Sequence, residues 1–204
     1  TPKPPSGGFF IMLRSNIIWD NSMNRRHALI CLCSIGVSGI SRATPPTSKA
    51  LDAIPLKQHE LAMRAAIAMA ALNPVYPFGA VIINANNGAI LAKGVNTTFN
   101  NPTFHGEIAC INDYVSKHGN KHWADLILYT TGEPCPMCMS ALIWAGIRGV
   151  VFGSSIATIK RSGIDAFIFS ANDINKGGNF SQTQILGGIL EPECDELFIN
   201  RKRA

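Results

Sequence analysis

The chain is 204 residues long, 47% hydrophobic and 15% charged, which is enough apolar material for one packed domain and excludes a disordered chain. Its net charge of +5 comes from the first fifty residues, where Lys3, Arg14, Arg25, Arg26, Arg42 and Lys49 face only Asp20; residues 51–204 hold 12 basic and 12 acidic groups. A neutral body disfavours an extended nucleic-acid surface, which needs clustered cations. Six cysteines in a chain of this length are too sparse for a disulfide-stapled scaffold.

Residues 1–49 read as an extension. From Met23 a charged Asn-Arg-Arg-His leads into an apolar run, Ala28–Ile40, and then Ser41-Arg42-Ala43 offers small residues at −3 and −1 of a cleavage point. Segment 23–43 therefore resembles a twin-arginine export signal, which implies a periplasmic or exported protein; without such a signal the expectation is cytoplasmic. The apolar run is too short to anchor the chain across a membrane. Thr44–Lys49, with Pro45-Pro46, reads as a linker into a domain at 50–204.

Within that domain the apolar spacing of Leu61, Ala65, Ile67, Ala68 and Ala71 predicts a helix over Leu56–Leu72, stopped by Asn73-Pro74. Phe78–Asn84 and Ala89–Val95 form a hairpin around the turn-rich Asn84–Gly88. A helix follows from near His105 to about Lys117. Next come a buried strand at Asp125–Thr131, a helix at Pro136–Ala145, a strand at Gly149–Gly153 and a helix around Ile156–Ser162. The chain then reads as irregular through Gly177-Gly178, with a last strand near Gln184–Leu190 and a terminal helix at Pro192–Arg201. A hairpin followed by alternating helices and strands predicts a three-layer α/β/α domain. Phe78, Trp144, Phe167 and Phe169 read as core, with stacking on a base as the alternative, and the lone Cys110 and Cys194 read as core. Arg201, Lys202 and Arg203 read as a solvated basic tail.

Two segments carry the chemistry: Pro102-Thr103-Phe104-His105-Gly106-Glu107 and Glu133-Pro134-Cys135-Pro136-Met137-Cys138. Each falls where the chain enters a helix, so first-turn N–H groups and the helix dipole favour thiolates and a bound anion. Cys135 and Cys138, three apart, project to one side, and Pro136 suits a first turn because its missing N–H costs nothing there. With His105 they make three zinc ligands and leave a fourth position for water. Glu107, two residues from a ligand, is placed to carry protons. A closed structural zinc site would need a fourth protein ligand, and Cys110, His118 and His122 are all poorly placed to supply one.

The order H-x-E…P-C-x-x-C is the signature of zinc deaminases. From about residue 56 onward the chain resembles the cytidine/deoxycytidylate deaminase superfamily, nearest to its bacterial guanine deaminase and tRNA adenosine deaminase branches. The resemblance is carried by Pro77–Ile82, Gly94-Val95-Asn96, Asn101–Glu107, and Tyr129 through Gly146. It implies a five-stranded mixed sheet, zinc between two helix starts, and a homodimer. It also implies that Asn96 hydrogen-bonds the edge of the base and that the Gly106 N–H lies near the substrate. The departures concern substrate. Phe104 stands where the purine branches carry a small residue, and Gly106 replaces the more usual Ala, as in some fungal cytosine deaminases. Gly163-Ile164-Asp165-Ala166 resembles the Gly-Phe-Asp-Asp stretch of guanine deaminases, but Ala166 replaces the second acid, which the resemblance would assign to reading guanine's N–H groups. The departure weakens the guanine assignment, and Asp165 reads either as the substitute substrate contact or as a cap of the irregular segment. The leading expectation is a purine deaminase acting on guanine or a related base or nucleoside. The alternatives are a cytosine deaminase, a tRNA adenosine deaminase, and a non-catalytic zinc-stabilised binding module, against which an intact Glu107 argues.

Overall fold

The structure, a computed structural model, describes residues 50–203. The candidate export segment at 23–43 and the linker at 44–49 lie outside the described residues.

Five strands form one mixed sheet in the order β2-β1-β3-β4-β5, comprising β1 (Gly79–Asn84), β2 (Ile90–Val95), β3 (Leu126–Gly132), β4 (Gly149–Ser154) and β5 (Gln184–Leu186). β1 pairs antiparallel with both β2 and β3, while β3, β4 and β5 run parallel. The β1–β2 connection is the predicted hairpin. The later strands are parallel because helices α3 (Pro136–Ala145), α4 (Ile156–Arg161) and α5 (Ala171–Lys176) carry the chain back between them.

Side-chain alternation divides the core in two. Ala80, Ile82, Leu128 and Val150 point to one face, where they pack with Cys110 and Tyr114 of α2 (Gly106–His118) and Met139 and Leu142 of α3. Val81, Ile83, Ile127, Tyr129 and Val151 point to the other, against Met63 and Ala66 of α1 (Leu56–Ala70) and Cys194 of α6 (Glu191–Ile199). The expected three layers are present, and Cys110 and Cys194 are buried as predicted. Both central strands, β1 and β3, are buried on both faces, hence their near-continuous apolar sequence.

The second face holds one buried polar pair. Tyr129 Oη lies 2.8 Å from His59 Nδ1, and His59 Nε2 lies 3.1 Å from the Leu51 carbonyl oxygen. A hydroxyl donating to Nδ1 and an Nε2–H donating to the carbonyl satisfy every group in the chain.

Three expectations need correction. The stretch read as irregular contains α5, started by a capping box in which Ser170 and Asp173 satisfy each other's backbone N–H groups. β5 is three residues long rather than seven, because Gly187 packs onto the Phe152 ring and Gly188 turns away at φ 84°. Trp144, Phe167 and Phe169 are not core: they are 76%, 61% and 52% exposed. The remaining elements begin and end within a few residues of the predicted positions, and among the described residues no helix is long and apolar enough to cross a membrane.

Candidate metal centre and substrate cavity

The end of β3 and the start of α2 meet at one end of the sheet. His105 is the residue before the first turn of α2, and Cys135 holds the same position before α3, with Pro136 as the first helical residue. Both have extended backbones, so each side chain leaves its helix start toward the same point. Glycines allow the approach. A Cβ on Gly106 would lie 2.5 Å from the Phe78 carbonyl oxygen, and one on Gly94 would strike the Gly106 carbonyl oxygen and Cys110 backbone. α2 therefore sits against β1 and β2 more closely than any side chain at those positions would permit.

The ligand atoms of His105, Cys135 and Cys138 all lie within 4.8 Å of one another, with Cys135 Sγ and His105 Nδ1 3.7 Å apart. Two ligands of a tetrahedral zinc, at ordinary Zn–S and Zn–N lengths, are about 3.6 Å apart, so the spacing suits that metal. Cys110 does not join the cluster; it is buried beneath Gly94. His118 lies against the Leu91 carbonyl, and His122 is at the start of a 3₁₀ turn. Among the described residues three ligands come together and a fourth does not, which is the donor count of a catalytic zinc site.

The electrostatics agree with the donor set. A hydrogen bond from the Cys138 thiol, aided by the His105 ring and opposed by burial, pulls the Cys135 thiol down to about 4. Cys138, as the donor of that bond and itself buried, is pushed up. His105 is raised chiefly by its hydrogen bond with Cys135. Zinc binds such groups in their deprotonated forms, so metal binding here would release protons.

Glu107 is almost fully buried, and burial first, then the neighbouring Cys135, raises its carboxyl above the usual carboxylate range. Oε1 accepts a hydrogen bond from Thr130 Oγ1 at 3.4 Å. Oε2 is buried without a protein partner among the described residues. A buried acceptor with no partner is costly unless something else fills the place, and here the place adjoins the ligands.

These groups open into a cavity of about 380 Å³. His105, Glu107 and Cys135 line its floor, Asn96 and Phe78 one wall, and the segment 163–167 the other. The Phe78 ring stacks on the His105 ring, 6.3 Å between centroids. Asn96 is buried, its Oδ1 accepting from the Thr98 N–H and hydroxyl. Asp165 lines the cavity with Ala166. Phe104 does not, its backbone being engaged with Thr97 and Asn101, and Gly106 contributes no lining side chain.

One residue the sequence pattern contained without a role is Glu133, immediately before Pro134-Cys135. Its Oε2 accepts from the Ile156 N–H at 3.0 Å and its Oε1 from the Ala171 N–H at 2.9 Å. These are the first residues of α4 and α5, the two helices that bracket the cavity wall. Ser155 and Ser170 cap the third residue of each helix, so Glu133 takes the donors those caps leave.

Comparison with known proteins places this arrangement. Residues 56–154 match the family model described as the cytidine and deoxycytidylate deaminase zinc-binding region. The chain is 41% identical over 100 residues to guanine deaminase from Bacillus subtilis, an alignment covering 48% of this chain and 63% of that protein. It is 33% identical over 149 residues to tRNA-specific adenosine deaminase from Buchnera aphidicola, covering 69% of this chain and 88% of that one. Among solved structures, guanine deaminase from Nitrosomonas europaea superposes with a TM-score of 0.60 at 21% identity, over 77% of this chain and 92% of that chain, a likeness of fold.

Proposed function

The chain belongs to the cytidine and deoxycytidylate deaminase family, whose members are zinc-dependent hydrolytic deaminases, and we propose that its substrate is an aminopurine, guanine foremost, as the free base or nucleoside. The observation carrying the purine reading is that Asp165 lines the same cavity as Glu107 and Asn96. A carboxylate there accepts from the adjacent N–H donors that guanine presents and cytosine lacks. The 41% identity to a guanine deaminase supports the same assignment.

His105, Cys135 and Cys138 would hold the zinc, which when bound makes a water nucleophilic near neutral pH. Asn96 and Asp165 fix the base edge, and Phe78 offers a ring face to its plane. Glu107, buried beside the ligands, takes a proton from the attacking water as a carboxylate and gives it to the ring nitrogen beside the carbon attacked. It then moves the remaining hydroxyl proton to the amine. A carbonyl forms as the C–N bond breaks, and ammonia leaves.

The exposed Trp144, Phe167, Ile168 and Phe169 support pairing of two copies, a homodimer that sedimentation would detect. The substrate assignment is tested by ammonia release from the zinc-loaded protein on guanine, adenine, cytosine, their nucleosides and a tRNA anticodon stem-loop. Guanine or guanosine is expected to be fastest. Preference for cytosine, or activity on the stem-loop alone, would overturn the purine assignment.

A further inference from the structure

The basic tail does not simply extend into solvent. The Lys202 N–H donates to the Pro74 carbonyl oxygen at 2.8 Å, which ties the tail to the turn before β1. Half-buried Arg201 donates from Nη1 to Val75 and from Nη2 to Gly163, at 3.2 and 3.4 Å, with its guanidinium 5.8 Å from the centre of the Tyr76 ring. Its Nε is buried with no partner among the described residues. The result is a second cavity, about 420 Å³, lined by Tyr76, Arg161, Ser162, Gly163, Arg201 and Arg203. Tyr76, Gly163 and Arg201 also line the substrate cavity, so the two are contiguous.

Among the described residues, three arginines line this second cavity and no acidic residue does. Neither of the ion pairs found among the described residues, Arg64–Glu193 and Lys117–Asp113, involves them. Arg161 Nη2 donates to Thr158 Oγ1 at 2.7 Å, and Thr158 in turn donates to Asp195 at 3.4 Å, so a hydroxyl links Arg161 to that acid. Asp165 lines the neighbouring cavity. Arginines that line one cleft with no ion-pair partner among the described residues raise the local concentration of anions, and a planar guanidinium fork matches phosphate oxygens in pairs. The position, beside the place where a base enters, selects an anion attached to the base.

Resting on the purine assignment above, we propose that this arginine-lined cleft is a phosphate subsite, which makes a purine nucleoside 5′-monophosphate a tighter ligand than the nucleoside itself. Arg161 and Arg203 hold the phosphate. Arg201, fixed by Val75, Gly163 and Tyr76, forms the boundary between phosphate and base. The neutral charge balance of residues 51–204 favours one phosphate on a small molecule over a polynucleotide backbone.

Calorimetry on the zinc-loaded full chain carrying Glu107→Gln, which removes turnover, compares guanosine with guanosine 5′-monophosphate. The monophosphate is expected to bind at least about tenfold tighter, with the advantage shrinking as salt rises. Adding Arg161→Ala and Arg203→Ala should abolish that advantage and leave guanosine affinity within about twofold, since neither residue lines the base cavity. Equal affinity for the two ligands, or an advantage that survives the double substitution, overturns the subsite. A guanine-containing oligonucleotide that binds tighter than the monophosphate and weakens equally with the double substitution upholds the subsite and overturns a mononucleotide as its source. If guanine and its derivatives all fail to bind while inorganic phosphate binds and depends on Arg161 and Arg203, the purine assignment fails and the subsite stands; loss of both overturns both.

Discussion

Replacing Glu133 by Gln tests whether one carboxylate sets the shape of the substrate cavity. Both its oxygens are occupied, by the first N–H of α4 and the first N–H of α5, 23 and 38 residues further along the chain. An amide has one acceptor oxygen. The substituted side chain would keep one contact and turn an NH2 toward the other N–H, so that a donor faces a donor. Losing a hydrogen bond to a charged group and stranding its partner costs about 2 kcal/mol. For a domain of this size that lowers Tm by roughly 4–8 °C. The consequence for catalysis follows from position: segment 163–167, between the two helices, is one wall of the cavity. KM should therefore rise more than kcat falls. Zinc content should stay at one per chain, because Glu133 is outside the ligand cluster. Hydrogen exchange would show faster labelling at 156 and 171 and unchanged protection in β1 and β3. Normal Tm, KM and exchange in Glu133→Gln would refute the argument, because the two helix starts would then be held by something other than this carboxylate.

Glu107→Gln should retain zinc and lose about 10²–10⁴-fold in turnover, as removal of a general acid–base does; metal analysis beside ammonia release separates the two effects, and preserved turnover would remove Glu107 from proton transfer. Gly106→Ala places a methyl 2.5 Å from the Phe78 carbonyl oxygen. The start of α2 must then move, at about 1–3 kcal/mol of stability, and His105 and Glu107 move with it, so urea unfolding and zinc affinity should both register the change. Tyr129→Phe leaves His59 Nδ1 buried without its donor, a loss of about 1–3 kcal/mol in urea unfolding. Because that pair lies on the face of the sheet away from the metal centre, zinc content and kcat should remain unchanged, and a fall in kcat would show coupling across β3.

Legibility in the sequence followed the distance over which each feature is determined. His105 and Glu107 are two residues apart, Cys135 and Cys138 three apart, and each pair is placed by one helix start, so the motif states the geometry almost directly. The strands β1, β3 and β4 were legible for a similar reason: they are short apolar runs bounded by turns. α5 was missed because six residues give no helical period. Its start signal, Ser170-x-x-Asp173, is nevertheless in the sequence and explains the helix once the capping contacts are seen. Trp144, Phe167 and Phe169 were misread because hydrophobicity alone does not say which side of a short helix or loop faces the sheet.

The cavity wall is a different matter. Asp165 lines it and Phe104 does not, although both stood in recognisable stretches, and the difference arises from how segment 163–167 is carried between two helices rather than from any local preference. Glu133 shows how such a wall can still be tied to the motif. Placed two residues before Cys135, with its N–H donating to the Ser154 carbonyl oxygen at the end of β4, it holds the starts of α4 and α5 at 2.9–3.0 Å. The rigid part of the site thus sets the position of its variable part. Substitutions at 163–167 can then change which base is read while the zinc ligands and Glu107 stay in register, whereas a substitution at Glu133 disturbs the wall whatever base it reads. That asymmetry separates the residues proposed to hold zinc and move protons from the segment proposed to read the base.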